Sequence, residues 1–135
     1  ATKLASFRKA MEKQTTVMLE NVSGHGIDNY LVALRELARE HWGKVPEFYS
    51  DQTFTKVFQY PLSTSQVPTA YPGTYIAYGA VVPDGYGCCY NLRDNEIIFA
   101  ISAYYSSQRT DADKFAGAVK SCLIDMKSFL DSNLT

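Results

Sequence analysis

The sequence predicts an α+β fold with a mixed, mostly antiparallel sheet flanked by helices, over residues 1–135. Three observations predict it. Two helical-period apolar stripes open the chain. Short segments rich in aromatic and hydroxyl residues, punctuated by glycine and proline, fill the middle from Phe58 to Tyr105. A last helical stripe follows. Strands grouped between helices, rather than alternating with them, favour α+β architecture.

Taken in order, Leu4, Phe7, Met11, Met18 and Val22 recur three or four apart or at multiples of a turn, which predicts a helix ended by Gly24 and Gly26. Asp28 is placed to cap a second helix, with Leu31, Leu34, Leu37, Ala38 and Trp42 on its stripe and Gly43 and Pro46 at its close. Pro46 to Lys56 reads as a loop with a short helical turn. Four strands are expected: Phe58–Ser65, Thr74–Val82, Tyr86–Leu92 and Glu96–Tyr105. Arg93 to Glu96 makes a hairpin turn between the last two. Ile97, Phe99 and Ile101 alternate with Ile98 and Ala100, so both faces of the last strand are apolar and a central position is expected. Thr110 to Asp113 has the spacing of a capping box, and the final helix follows with Phe115, Val119, Cys122, Met126 and Phe129 on one stripe.

Composition narrows the function. A content of 46% hydrophobic and 20% charged residues is that of a globular protein. A net charge of −1 argues against nucleic acid or an anionic membrane as the main partner. No apolar run approaches the roughly 18 residues of a membrane span. Three cysteines, two of them adjacent, suggest reduced thiols in a cytoplasmic setting. The two histidines, His25 and His41, have no ligand-type spacing to the cysteines, and no metal site is expected. His41, near the expected end of the second helix, complements the helix dipole there.

Chemistry concentrates between Leu62 and Asn91. In a strand, Ser63 and Ser65 point to one face and Thr64 to the other. Two aligned hydroxyls can line a pocket, and one can donate to an oxyanion. A Ser/Thr-rich strand edge is the plainer account of the same residues. Tyr78 on pattern alone is an aromatic packing in a core.

The motifs carry a resemblance. Ser63-Thr-Ser-Gln-Val-Pro68, followed after a short gap by Gly79-x-Val-Val-Pro-Asp-Gly-Tyr-Gly-x-x-Tyr-Asn91, resembles the signature of the carnitine/choline acyltransferases. Gly26-Ile-Asp-Asn-Tyr-Leu31 is similar to a helix start in that family, and Ile97–Tyr104 with Leu123–Lys127 to its last strand and helix. The resemblance covers nearly the whole chain. It implies the C-terminal part of a longer catalytic region, within a two-domain fold related to chloramphenicol acetyltransferase, one strand reaching into the other domain's sheet.

It further implies acetyl transfer from acetyl-CoA, a co-substrate rather than a resident cofactor, to an acceptor hydroxyl. Ser65 would stabilise the oxyanion. Ser63 and Tyr78 would lie against the acceptor's trimethylammonium group, and Gln66 would contact coenzyme A. Ile76 by position would close the acyl pocket. The family's catalytic histidine would come from the N-terminal remainder of the enzyme. Carnitine-using relatives carry arginine where this chain has Asn29, to pair with the acceptor's carboxylate. Choline has no carboxylate, and an unpaired buried guanidinium costs several kcal/mol. Asn29 and Tyr78 therefore point to choline as acceptor. A carnitine acetyltransferase is the alternative, as is a fragment that only binds. The stretch Thr69–Tyr75 is one residue longer than in the family's pattern, and Ala80 stands where that pattern has proline.

Overall fold

The computed structural model describes residues 2–66, 68, 69, 71 and 73–133. Val67 of the first motif, and Ala70 and Pro72 of the unusual stretch before Tyr75, lie outside the described residues. The chain divides into two compact units. The first is helical and runs to Thr55, with the chain from Leu130 onward; the second is Lys56–Phe129 and carries the sheet.

In the first unit, α1 spans Lys3–Glu20 and is capped by the Thr2 hydroxyl, which accepts from the Ala5 N–H. A π-helical turn, Asn21–His25, continues it. Gly24 breaks the helical run there with a φ of 85°, a left-handed value that a side chain disfavours. The second helix, α2, is Ile27–Trp42. Its cap residue is Gly26, not Asp28, which lies inside the first turn and makes no capping bond. The carboxylate there still complements the helix dipole. Left-handed Gly43 ends α2, its N–H bonded to the Arg39 carbonyl. Ala38 is buried, while Leu34, Leu37 and Trp42 of the same stripe are exposed.

Residues 46–56 are more helical than a loop. A 3-10 turn, Glu47–Ser50, leads into α3, Gln52–Val57, because the Asp51 carboxylate accepts the Thr53 N–H at 2.7 Å and starts a new helix. Phe48, Tyr49 and Phe54 meet edge to face or tilted, with centroids 5.0–5.1 Å apart.

The second unit holds a three-stranded sheet of β1 (Leu62–Gln66), β2 (Tyr86–Leu92) and β3 (Ile97–Ser102), in that spatial order. β1 and β2 are parallel; β2 and β3 are antiparallel. The sheet is thus mixed, with one pairing of each kind rather than mostly antiparallel. β2 is central and β3 lies outside it, which corrects the expectation for Ile97–Ile101. β3 is half-buried along Ile98–Ser102, while Ile97 is exposed. The Arg93–Glu96 hairpin turn forms as expected, closed by the Arg93 N–H on the Glu96 carbonyl at 2.9 Å.

The expected strand over Thr74–Val82 does not form: among the described residues no ladder includes it. α4, Ala112–Asp131, starts from Asp111, whose carboxylate accepts the Lys114 N–H. Asp111 therefore caps the helix in place of Thr110, whose hydroxyl is buried without a hydrogen bond. Tyr86 of β2 stacks on Phe115 of α4 at 4.6 Å, and its hydroxyl accepts the Asp111 N–H. Phe115, Ala116, Val119 and Leu123 are half-buried, whereas Cys122 and Met126 are exposed. The inward stripe is rotated from the expected one, and an open groove of about 900 Å³ runs between α4 and Ile97, Phe99 and Ile101 of β3.

Candidate functional site

Strand pairing fixes which side chains share a face. β1 pairs Ser63 with Gly87 and Ser65 with Cys89, and β2 pairs Gly87 with Ser102 and Asn91 with Ile98. Neighbours in register project to the same side. One face therefore presents Ser63, Ser65, Gly87, Cys89, Asn91 and Ser102. Thr64 and Gln66 project to the other face with Cys88 and Tyr90. Burial along β1 follows this alternation: Ser63 and Ser65 are half-buried, Thr64 and Gln66 exposed.

The serine-bearing face is crossed by the segment expected to be a strand. Its hold on the sheet comes from side chains. The Asn91 carboxamide accepts the Ile76 N–H at 3.0 Å and donates to the Ile76 carbonyl at 3.1 Å, with a longer bond to the Ile98 carbonyl at 3.4 Å. The Ser102 hydroxyl donates to the Tyr78 carbonyl at 2.9 Å. The Arg93 guanidinium donates to the Thr74 carbonyl and sits 5.2 Å from the centre of the Tyr75 ring. Gly87 permits the close crossing. A β-carbon there would lie 2.5 Å from the Ser102 hydroxyl and 3.0 Å from the Gly79 backbone. Cys89, fully buried, and Ala80, 6% exposed, complete the covered interior.

This arrangement delivers Tyr78. Its hydroxyl lies 3.3 Å from the Ser63 carbonyl and 3.2 Å from the Cys88 carbonyl, a single donor shared between two acceptors. Burial raises the phenol above the usual tyrosine range. Burial also raises the Cys88 thiol, with Cys89 adding to the effect. The Ser65 hydroxyl makes a long contact, 3.4 Å, to the Gln66 carbonyl. A bond of that length is weak, so the hydroxyl is available to a better acceptor.

Of the residues singled out in the sequence, Ser63, Ser65 and Tyr78 are brought together on one face. Gln66 lies on the same strand but projects to the opposite face; at the end of β1 it borders a small pocket of about 90 Å³ with Thr69, Asn91 and Arg93. Asn29 belongs to the helical unit, exposed in the first turn of α2. His25 and His41 are also in that unit, both exposed. Among the described residues no group of three or more His, Cys, Asp or Glu is placed to hold a metal ion. Cys88, Cys89 and Cys122 are free.

Asn91 and Ser102 went unassigned by sequence reasoning. A signal for Asn91 existed. An amide at an inward position of a strand beside two cysteines must find partners for its donors and acceptor.

Comparison with known proteins follows the motifs. The sequence profile of the family described as Choline/Carnitine o-acyltransferase matches residues 1–121. The chain is 44% identical over 125 residues to a Homo sapiens choline O-acetyltransferase, covering 93% of the chain and 17% of that protein. It is 38% identical over 126 residues to the Drosophila melanogaster choline O-acetyltransferase, covering 93% of the chain and 17% of the relative. A Columba livia carnitine O-acetyltransferase is 40% identical over 111 residues, 82% of the chain and 18% of that protein. The chain thus spans about a fifth of the length of the curated relatives it matches.

Proposed function

The chain belongs to the choline/carnitine O-acyltransferase family, and from that premise we propose that it carries the acceptor side of an acetyl-CoA:choline O-acetyltransferase site. The observation that carries this reading is the shared face of Ser63 and Ser65 with Tyr78 held over it.

In the proposed reaction the choline hydroxyl attacks the thioester carbonyl of acetyl-CoA. A carbon–oxygen bond forms, the carbon–sulfur bond breaks, and coenzyme A leaves as the thiol. The hydroxyl proton passes through a base elsewhere in the full-length protein, since the sheet unit of this chain contains no histidine. Ser65 donates its hydroxyl to the oxyanion of the tetrahedral intermediate. A well-placed donor of this kind is worth about 3–4 kcal/mol in the transition state. Ser63 and the Tyr78 ring flank the trimethylammonium group, which an aromatic face attracts. Ile76, half-buried, limits the acyl group to a short chain. Gln66 contacts coenzyme A, approaching from the opposite face of β1. The product, an acetylated choline, makes the reaction one of neurotransmitter biosynthesis, in a cytoplasmic setting consistent with three free thiols. The two-domain arrangement related to chloramphenicol acetyltransferase, with one strand of this chain joining the other domain's sheet, belongs to the same proposal.

Acceptor choice rests on Asn29. An arginine at this position offers a charge-assisted pair to a carboxylate, a group that choline lacks. Steady-state kcat/KM for choline and carnitine, measured on the full-length protein with and without Asn29→Arg, tests the reading. Choline is the preferred acceptor of the unmodified protein, and the substitution moves the ratio toward carnitine. Better use of carnitine by the unmodified protein would replace this reading with a carnitine O-acetyltransferase, the second reading favoured by the similarity to the pigeon enzyme.

A further inference from the structure

We infer that Asn91 and Ser102 are positioning residues for acceptor recognition, fixing the Tyr78 ring by gripping the backbone on either side of Ala77. The inference rests on the reading of Tyr78 as the aromatic that faces the acceptor's cation.

A ring faces a cation usefully only if its plane is held, because the attraction falls away once the charge leaves the ring face. Tyr78 sits in a segment that no strand ladder orders. Its main chain is instead fixed at Ile76, by two bonds from one carboxamide, and at its own carbonyl, by the Ser102 hydroxyl. Asn91 is 5% exposed, so water does not replace its bonds when they are lost. Ser102 reaches Tyr78 only because Gly87, its partner across the sheet, leaves the space open. The shared hydroxyl contact with the Ser63 and Cys88 carbonyls anchors the tip of the ring and not its base. Placement of the ring therefore depends on two residues that touch no substrate.

The test compares two acceptors in the full-length protein: choline, and a neutral analogue with a tert-butyl group replacing the trimethylammonium. The ratio of their kcat/KM values isolates the cation contact, and a variant that is merely less stable lowers both values together. Asn91→Asp retains an acceptor for the Ile76 N–H but turns a carboxylate toward the Ile76 and Ile98 carbonyls. Ser102→Ala removes one bond and leaves the rest intact. Each lowers the choline-to-analogue ratio by up to about tenfold, mainly through the KM for choline, with the KM for acetyl-CoA unchanged. Tyr78→Leu collapses the ratio and serves as the reference. Loss of the ratio in Tyr78→Leu but not in Asn91→Asp or Ser102→Ala would overturn the inference while leaving the site reading intact. An unchanged ratio in Tyr78→Leu would overturn both. Should Asn91→Asp fail to fold, Ser102→Ala decides alone.

Discussion

β1 and the segment crossing above it are neighbours held by opposite means. β1 is ordered by main-chain pairing along its five residues with β2, so its side chains are left for other work. The crossing segment from Thr74 to Ala80 has no such pairing and is fixed by the side chains of Asn91, Arg93 and Ser102. A substitution in β1 should therefore alter chemistry without altering placement. A substitution beneath the crossing segment should alter placement first.

The largest expected effect is on the β1 side. Ser65→Ala in the full-length protein lowers kcat by about 10²–10³, with KM for both substrates little changed. Its thermal midpoint stays close to that of the unmodified protein, because the pairing of β1 with β2 is kept and only the long 3.4 Å contact to the Gln66 carbonyl is lost. Ser63→Ala acts mainly on the acceptor's KM. A reversal of the two serine effects, or a loss of stability in Ser65→Ala equal to the loss of activity, would break the comparison.

Smaller in free energy is the effect of filling the gap beneath the segment. Gly87→Ala drives a methyl group into the Ser102 hydroxyl and the Gly79 backbone and destabilises the protein by about 1–3 kcal/mol. Denaturant unfolding measures it. A neutral result would mean that the segment is not seated against β2 at all.

The smallest effect is a pH dependence. The folded-state pKa of Tyr78 and of Cys88 is raised by burial. The unfolded chain then loses these protons first, so stability is complete below about 8.5 for the thiol and about 10 for the phenol and declines as pH rises past each. Combining Tyr78→Phe with Cys88→Ala flattens the alkaline limb of a stability–pH curve. An alkaline limb as steep as before would place its origin in other groups.

These contrasts also show what was legible in the sequence. Tyr86–Leu92 is read with its true bounds, because a hairpin turn and a run of small and aromatic residues delimit it. The three long helices follow from their stripes. The segment over Thr74–Val82 has a strand's composition, yet composition does not reveal that its bonding partners are an amide and a hydroxyl on other strands. The Ile97–Ser102 strand is apolar on both faces for a reason other than central position. One face borders the groove beside α4, and the other underlies the bonds from Asn91 to Ile98 and from Ser102 to Tyr78. Ser63 and Ser65 were legible as a same-face pair from strand alternation alone, whereas the roles proposed for them came from motif resemblance. The opposite projection of Gln66 follows from the same alternation. The hold on Tyr78 was invisible because it links residues 15 and 24 positions apart.

The hydrogen bonds by which Asn91, Arg93 and Ser102 grip the crossing segment reach only main-chain atoms, the carbonyls of Thr74, Ile76 and Tyr78 and the N–H of Ile76, while Arg93 also lies over the Tyr75 ring. Apart from proline at residue 76, which has no N–H, such a clasp is indifferent to the identity of the side chains it carries. The segment is thus an exchangeable cassette. On the proposed reading, its residues can be swapped to reshape a pocket for a different acyl group or acceptor, while the three clasping residues keep the backbone in register. Directed evolution of specificity would do best to randomise residues 76–78 and leave positions 75, 91, 93 and 102 untouched.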